Sequence, residues 1–298
     1  MPDYQIATLN LQNFVEPPYA WYDWDAIYSA KQWQMKTAWL RQLWQQAGLD
    51  LLALQEVFSV SALQALCHDA GLPHLLVAAE PSLQDNHVFT APVVALASRY
   101  PLQALPLPPL DPHWLRQLSL SEFQDSRVPL LARVELPSLG AVDLCVVHLK
   151  SRRPDKSIEG PLALVKSQLQ RLSEAALLMQ RLAAHYAKAQ RPLLLLGDLN
   201  DELSAILPLT QLVGGLKLQD AAELAMAELR PPTHYYGAQG KVLDYLLCSS
   251  EFDARFHHSV ADISHYRVWD QHLVRPRFDL DGHSSDHAMV QMTLRPRR

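Results

Sequence analysis

Leu193-Leu194-Leu195-Leu196-Gly197-Asp198-Leu199-Asn200 is an apolar run that stops on a glycine and two polar side chains. Four leucines have the length of one buried strand, and Asp198 and Asn200, two apart, point the same way if the strand continues. Just upstream, Val165, Leu169, Leu172, Ala176, Met179, Ala183 and Tyr186 recur at steps of four and three. That stripe predicts an amphipathic helix over 163–189. Ahead of the helix, Val142-Asp143-Leu144-Cys145-Val146-Val147 reads as another strand and ends on His148. A helix between two strand-like runs packs on a sheet rather than forming a coiled coil, which predicts a layered α/β protein.

Outward from this unit the same grammar repeats. Ile6-Ala7-Thr8-Leu9 runs into Asn10, Asp50-Leu51-Leu52-Ala53-Leu54 into Gln55-Glu56, and Gly282-His283-Ser284-Ser285 into Asp286-His287. Strand ends are where such folds place their sites, so these groups predict one composite site. A helix fits 29–47, with Trp33, Thr37, Leu40, Trp44 and Ala47 on one face and Gly48 as its stop. Further strands are predicted at 93–98, 130–136, 242–248 and 289–294. The aromatic stretch 17–24 and the proline-rich stretch 105–112 read as loops. Interleaved elements, with site residues drawn from both ends of the chain, predict a single α/β domain over 1–298.

Composition sets outer bounds. The chain has 298 residues, 49% of them apolar and 19% charged, with a net charge of −5. That acidic balance argues against a broad, nonspecific grip on nucleic acid. Lys150, Arg152, Arg153 and Lys156 nonetheless cluster just after His148 and predict a local patch for an anionic substrate. Cys67, Cys145 and Cys248 are far apart with no CxxC pair, so they read as small buried hydrophobes. No leader-like segment and no apolar run near 18 residues is visible, predicting a cytoplasmic protein without membrane insertion, acting as a monomer.

Asn10, Glu56, Asp198 and Asp286 all offer oxygen, with no thiolate partner. Such a set suits a hard cation, Mg²⁺ or Mn²⁺, which can polarise a phosphate and stabilise developing charge. His148 and His287 are suited to proton transfer or to hydrogen-bonding a phosphate oxygen near neutral pH.

Thr8-Leu9-Asn10, Leu54-Gln55-Glu56-Val57, Val147-His148-Leu149-Lys150-Ser151, Gly197-Asp198-Leu199-Asn200, Leu243-Asp244-Tyr245 and Ser285-Asp286-His287 together resemble the endonuclease/exonuclease/phosphatase superfamily. This is the metal-dependent group of DNase I-like nucleases, apurinic endonucleases, sphingomyelinases and inositol polyphosphate phosphatases. The motifs fall in the family's order. The resemblance implies a four-layer α/β sandwich, two packed mixed β-sheets flanked by helices, with a metal site at one sheet edge.

It also implies roles. Glu56 is the principal metal ligand, with Asn10 and Asp286 beside the ion. Asp198 orients or deprotonates the attacking water, and Asn200 holds a phosphate oxygen. His287 contacts the scissile phosphate while Asp244 fixes its ring. His148 matches the DNase-like and sphingomyelinase-like branches, whereas apurinic enzymes differ there and commonly carry an acid where this chain has Gln12. Arg127 resembles an arginine that faces phosphate, and Lys150 joins it as a substrate-binding residue. Arg99 reads as structural. Trp33 and Trp44 fall at core spacing, while Trp21 and Trp24 are candidates for stacking on a base. The expected activity is hydrolysis of a phosphoester by in-line attack of water, nuclease-like first, with a small-molecule or lipid-headgroup phosphoester as the alternative. A catalytically dead binding module is disfavoured by the intact set of site residues.

Overall fold

Along Leu193–Asp198, Leu194 and Leu196 face one buried interior while Leu193 and Leu195 face another. A strand buried on both faces needs a layer on each side, and the computed structural model supplies them. It describes residues 2–120, 122–154, 160–277 and 279–297, so Lys156 of the basic cluster lies outside the described residues. The main strands are β1 (Tyr4–Phe14), β2 (Leu51–Val57), β3 (His74–Val77), β4 (Val93–Ser98), β5 (Leu102–Leu105) and β6 (Leu130–Leu136). They continue with β7 (Gly140–His148), β8 (Leu193–Asp198), β9 (Gln219–Asp220), β10 (Asp244–Cys248), β11 (Ala261–Trp269) and β12 (Met289–Pro296). The principal helices are α1 (Ala30–Ala47), α2 (Val60–Asp69), α3 (Pro161–Ala189) and α4 (Leu203–Leu212).

Two six-stranded sheets form, ordered β11-β12-β1-β2-β4-β3 and β9-β10-β8-β7-β6-β5. Each is mixed: β1 runs parallel to β2 and β7 parallel to β8, while the other neighbours are antiparallel. Ile6, Leu51, Ala53 and Leu96 of the first sheet meet Val142, Leu144, Leu194 and Leu246 of the second in a shared core. Outside the first sheet, Leu9, Leu52 and Leu54 pack on Leu40, Trp44 and Leu63 of α1 and α2. Outside the second, Cys145, Leu193 and Leu195 pack on Leu178, Met179 and Leu182 of α3. Helix, sheet, sheet, helix is the four-layer order.

Local signals explain the element ends. Ser29 and Gln32 form a reciprocal capping box at the start of α1, and left-handed Gly48 ends it. In α3 the stripe departs from expectation. Val165 is 48% and Leu169 61% exposed, and the buried line runs instead through Ala163, Ser167, Arg171 and Glu174 before reaching Leu178 and Leu182. The first half of α3 covers irregular backbone rather than sheet, so its buried positions after Ala163 are polar. All three cysteines are buried and free, Trp39 joins Trp44 in the outer core, and Arg99 pairs with Asp50. Among the described residues no helix is long and apolar enough to cross a membrane.

Gly197 is irreplaceable for a backbone reason. It lies opposite Val147 in the parallel pair, with φ at +148°, and a Cβ there would sit 2.0 Å from the Val147 carbonyl oxygen. Gly197→Ala must push apart the two strands that end in His148 and Asp198. The expected loss exceeds about 4 kcal/mol, the range reserved for broken backbone packing. A thermal melt within a few degrees of wild type would show that the strands yield more easily than this.

Candidate active site

Because β1 and β2 are parallel, and β7 and β8 likewise, all four can end at one edge of the molecule. β10 and β12, antiparallel to them, begin there. Pairing registers put His148 opposite Asp198, and Asp198 opposite Asp244. Three chemically active side chains therefore share one rung of the second sheet. The first sheet reaches across to them: the Asn10 amide donates to Asp198 Oδ2 at 3.0 Å and to Glu56 Oε1 at 3.4 Å.

Backbone geometry aims the carboxylates. Glu56 sits at the end of β2 with φ at +59°, and its Oε2 accepts the Asn13 backbone N–H at 2.8 Å. A non-glycine residue held left-handed at a site is strain that the surroundings must fix. Asp198 Oδ1 accepts the Asn200 backbone N–H at 2.7 Å, and the Asn200 side-chain amide donates to Leu149 O and Asp198 Oδ2. The Ser285 hydroxyl donates to Asn10 O at 2.6 Å and accepts His287 N–H at 3.0 Å, tying β1 to the segment before β12. Buried Lys36 of α1 caps Ser284 O at 3.1 Å.

His287 Nδ1 bonds Asp244 Oδ2 at 2.9 Å, which leaves Nε2 facing the cleft, 3.9 Å from Asp198 Oδ2. Burial opposes charge on this ring, but Asp244 and Asp198 outweigh it and lift its pKa to about 10. Burial lifts Asp198 to about 6, against the nearby imidazolium. His148, 3.5 Å from Asp198, is pushed the opposite way, first by burial and then by Arg127 and His287, so it is neutral. The site thus holds one charged and one neutral imidazole on the same carboxylate. Such divergence marks functional sites.

A cleft of about 610 Å³ opens over this edge. Every residue assigned a catalytic, metal-binding or phosphate-binding role from sequence lines it except Asp244, which lies fully buried and bonded to His287. Lys150 lines the wall, and Arg127, there too, donates to Leu149 O at 3.1 Å and hydrogen-bonds the Tyr22 hydroxyl. Asp198 and His287, although they sit at the edge where the strands end, are buried. Arg152 is committed to Asp201 and to Asn200 O, and its guanidinium lies over the Tyr236 ring. Trp21 packs on Tyr28, while Trp24 stacks on His87 at 58% exposure.

His234 and Tyr236 were not singled out from sequence. They lie on a short hairpin strand, His234–Tyr236, that bridges to His287, and His234 Nε2 stands 3.7 Å from Asp286 Oδ2. Three-residue strands carry no periodicity to read. The only signal was the aromatic and imidazole density of Thr233-His234-Tyr235-Tyr236 just before Asp244.

The donor set suits a hard cation at Glu56 and Asp286, two carboxylates on one cleft. Asn10 presents its amide nitrogen to Glu56, while its Oδ1 accepts the Gln12 N–H at 2.9 Å, so as placed it braces the carboxylate. His234, Asp286 and His287 also bring ligand atoms within 4.8 Å of one another.

The model of the endonuclease/exonuclease/phosphatase family matches residues 7–287. The chain belongs to the endonuclease/exonuclease/phosphatase family. It is therefore an enzyme of a phosphoesterase class whose members generally depend on a divalent metal. No curated protein matches it in sequence. Among solved structures, it resembles a family member from Beutenbergia cavernae at 20% identity and TM-score 0.58, covering 99% of this chain and 72% of that one. The human Nocturnin catalytic domain with bound sulfate aligns at 16% identity and TM-score 0.61, over 99% and 95% of the two chains. D. rerio TDP2 complexed with a single-strand DNA product aligns at 14% and 0.59, over 98% of both. At these identities the structures support the fold alone.

Proposed function

We propose that this family enzyme is a divalent-metal-dependent phosphodiesterase, nuclease-like, that contacts only a short stretch of its substrate. The observation that carries the reading is the shared rung of His148, Asp198 and Asp244, with Glu56 and His287 converging on the same cleft. Glu56 and Asp286 would hold Mg²⁺ or Mn²⁺, which when bound supplies charge neutralisation at the phosphate. Asp198, its basicity raised by burial, takes the proton of the attacking water. His287, held charged by Asp244, donates a hydrogen bond to a phosphate oxygen. Asn200 fixes Asp198 from its backbone and side-chain amides, and that side-chain amide would hold a phosphate oxygen by exchanging its bond to Asp198 or to Leu149 O. Arg127 and Lys150 offer charge on the cleft wall.

The short footprint rests on charge. Net charge is −5, and Arg152, one of the basic cluster, is already paired with Asp201. Counterion release gives a slope near −0.9 per phosphate contact on duplex DNA. A plot of log kcat/KM against log salt on a long duplex should therefore be shallow. A slope of roughly −5 or steeper, with efficient cleavage, would reveal a long-groove DNase. The same preparation, assayed with Mg²⁺ or Mn²⁺ against DNA, RNA, bis-p-nitrophenyl phosphate, sphingomyelin and inositol phosphates, tests the class. The small-phosphoester reading gains if only the last three are hydrolysed, and no turnover on any of them refutes the proposal.

A further inference from the structure

The buried first half of α3 is lined by Ser167, Arg171 and Glu174, where an ordinary sheet-packing helix would carry leucine or valine. Each of these side chains, with Gln170 beside them, grips loop backbone. Glu174 is 2% exposed, and its two oxygens serve two separate segments: Oε1 accepts the Ser126 N–H at 2.8 Å and Oε2 the Lys150 N–H at 2.6 Å. Gln170 donates to both Glu174 Oε1 and Gln124 O. Arg171 donates to Lys150 O and makes a two-pronged contact with Asp201, while Ser167 donates to Arg153 O. Ser126 precedes Arg127, and Lys150 itself lines the cleft, so one carboxylate sets the spacing of both cation-bearing segments.

We propose that Glu174 is a positioning residue for substrate binding, which fixes Arg127 and Lys150 against the substrate phosphate without touching it. The inference rests on the phosphoesterase reading of the cleft. A buried carboxylate is costly unless its hydrogen bonds are satisfied, and an apolar side chain of similar volume would serve stability as well. What the carboxylate does that leucine cannot is hold two backbone donors from loops 24 residues apart in sequence at one point. The hydrogen bonds of Glu174 go to Ser126, Lys150 and Gln170, and none of them reaches Asp198, His287 or Glu56. Its loss should therefore weaken binding and spare the chemical step.

Glu174→Gln keeps the shape and removes one of the two acceptors. KM for bis-p-nitrophenyl phosphate should rise about tenfold with kcat nearly unchanged, the signature of lost uniform binding. Inorganic phosphate, titrated by calorimetry, should bind more weakly in parallel. In an Arg127→Ala, Lys150→Ala background the same substitution should add nothing further, because its targets are gone. An unchanged KM and phosphate affinity, an effect confined to kcat, or a full effect persisting in that background would each overturn the proposal. Where Glu174→Gln does not fold, Gln170→Ala removes the neighbouring amide donor and should show a smaller rise in KM of the same kind, its absence counting against the proposal. The two readings separate cleanly. A wild type that hydrolyses substrate while Glu174→Gln binds normally refutes only the positioning role. A wild type that neither hydrolyses substrate nor binds phosphate refutes the phosphoesterase reading and this inference with it.

Discussion

Asp198→Asn and His287→Ala should each lower turnover by about 10² or more, the scale of lost acid–base assistance. The two should differ in stability, because they leave different groups behind. Asp198→Asn keeps the volume but sets one amide N–H against donors from Asn10 and Asn200, an imperfection worth about 1–3 kcal/mol. His287→Ala strips the partner from fully buried Asp244, whose Oδ1 already lacks one, and an orphaned buried charge costs about 3–5 kcal/mol. Paired kinetics and urea melts on both variants check this, and near-normal turnover in either would remove the role assigned to that residue. The pair also has a pH signature. The His287 pKa is raised from 6.5 to about 10, so its stabilisation is complete below pH 6.5 and fades as pH climbs through about 10. Melts of wild type should show that alkaline loss, and melts of His287→Ala should not.

Chelation should have an effect as large. Without a divalent cation, the phosphate anion repels the incoming water oxygen, and the cations of the cleft leave much of the charge that develops on it unneutralised. EDTA should abolish turnover, and Mg²⁺ or Mn²⁺ should restore it. Glu56→Gln should shift the metal dependence to higher concentration while leaving the fold intact, because its backbone anchor at Asn13 needs only one oxygen. Full activity in EDTA would sink the metal-dependent reading, and normal metal titration in Glu56→Gln would sink the assignment of that ligand.

Much of this was legible in the residues, for identifiable reasons. Val93–Ser98 is apolar on both faces and Leu130–Leu136 on one, and each is bounded by polar or proline residues, so their limits coincide with the predicted ones. The groups at strand ends fall together because a parallel pair must finish at one edge. The α3 stripe misled because helical periodicity reports which residues share a face, not what that face covers. Here the covering surface is loop backbone, which calls for Arg171 and Glu174 rather than Val165 and Leu169. Burial of Asp198 and His287 was equally hidden. It depends on Asn10 and Ser285 reaching between segments far apart in sequence, a contact no local pattern encodes.

The hydrogen bond from Asn10 to Asp198 joins residues 188 apart, and it crosses from one sheet to the other. The first sheet is itself assembled from both chain ends, with β12 laid directly beside β1. Neither half of the polypeptide holds the complete site: Asn10 and Glu56 come from one half, and Asp198, Asp244 and His287 from the other. Turnover in this protein is thus a stringent gauge of refolding: the first catalytic cycle can occur only after the last strand has docked.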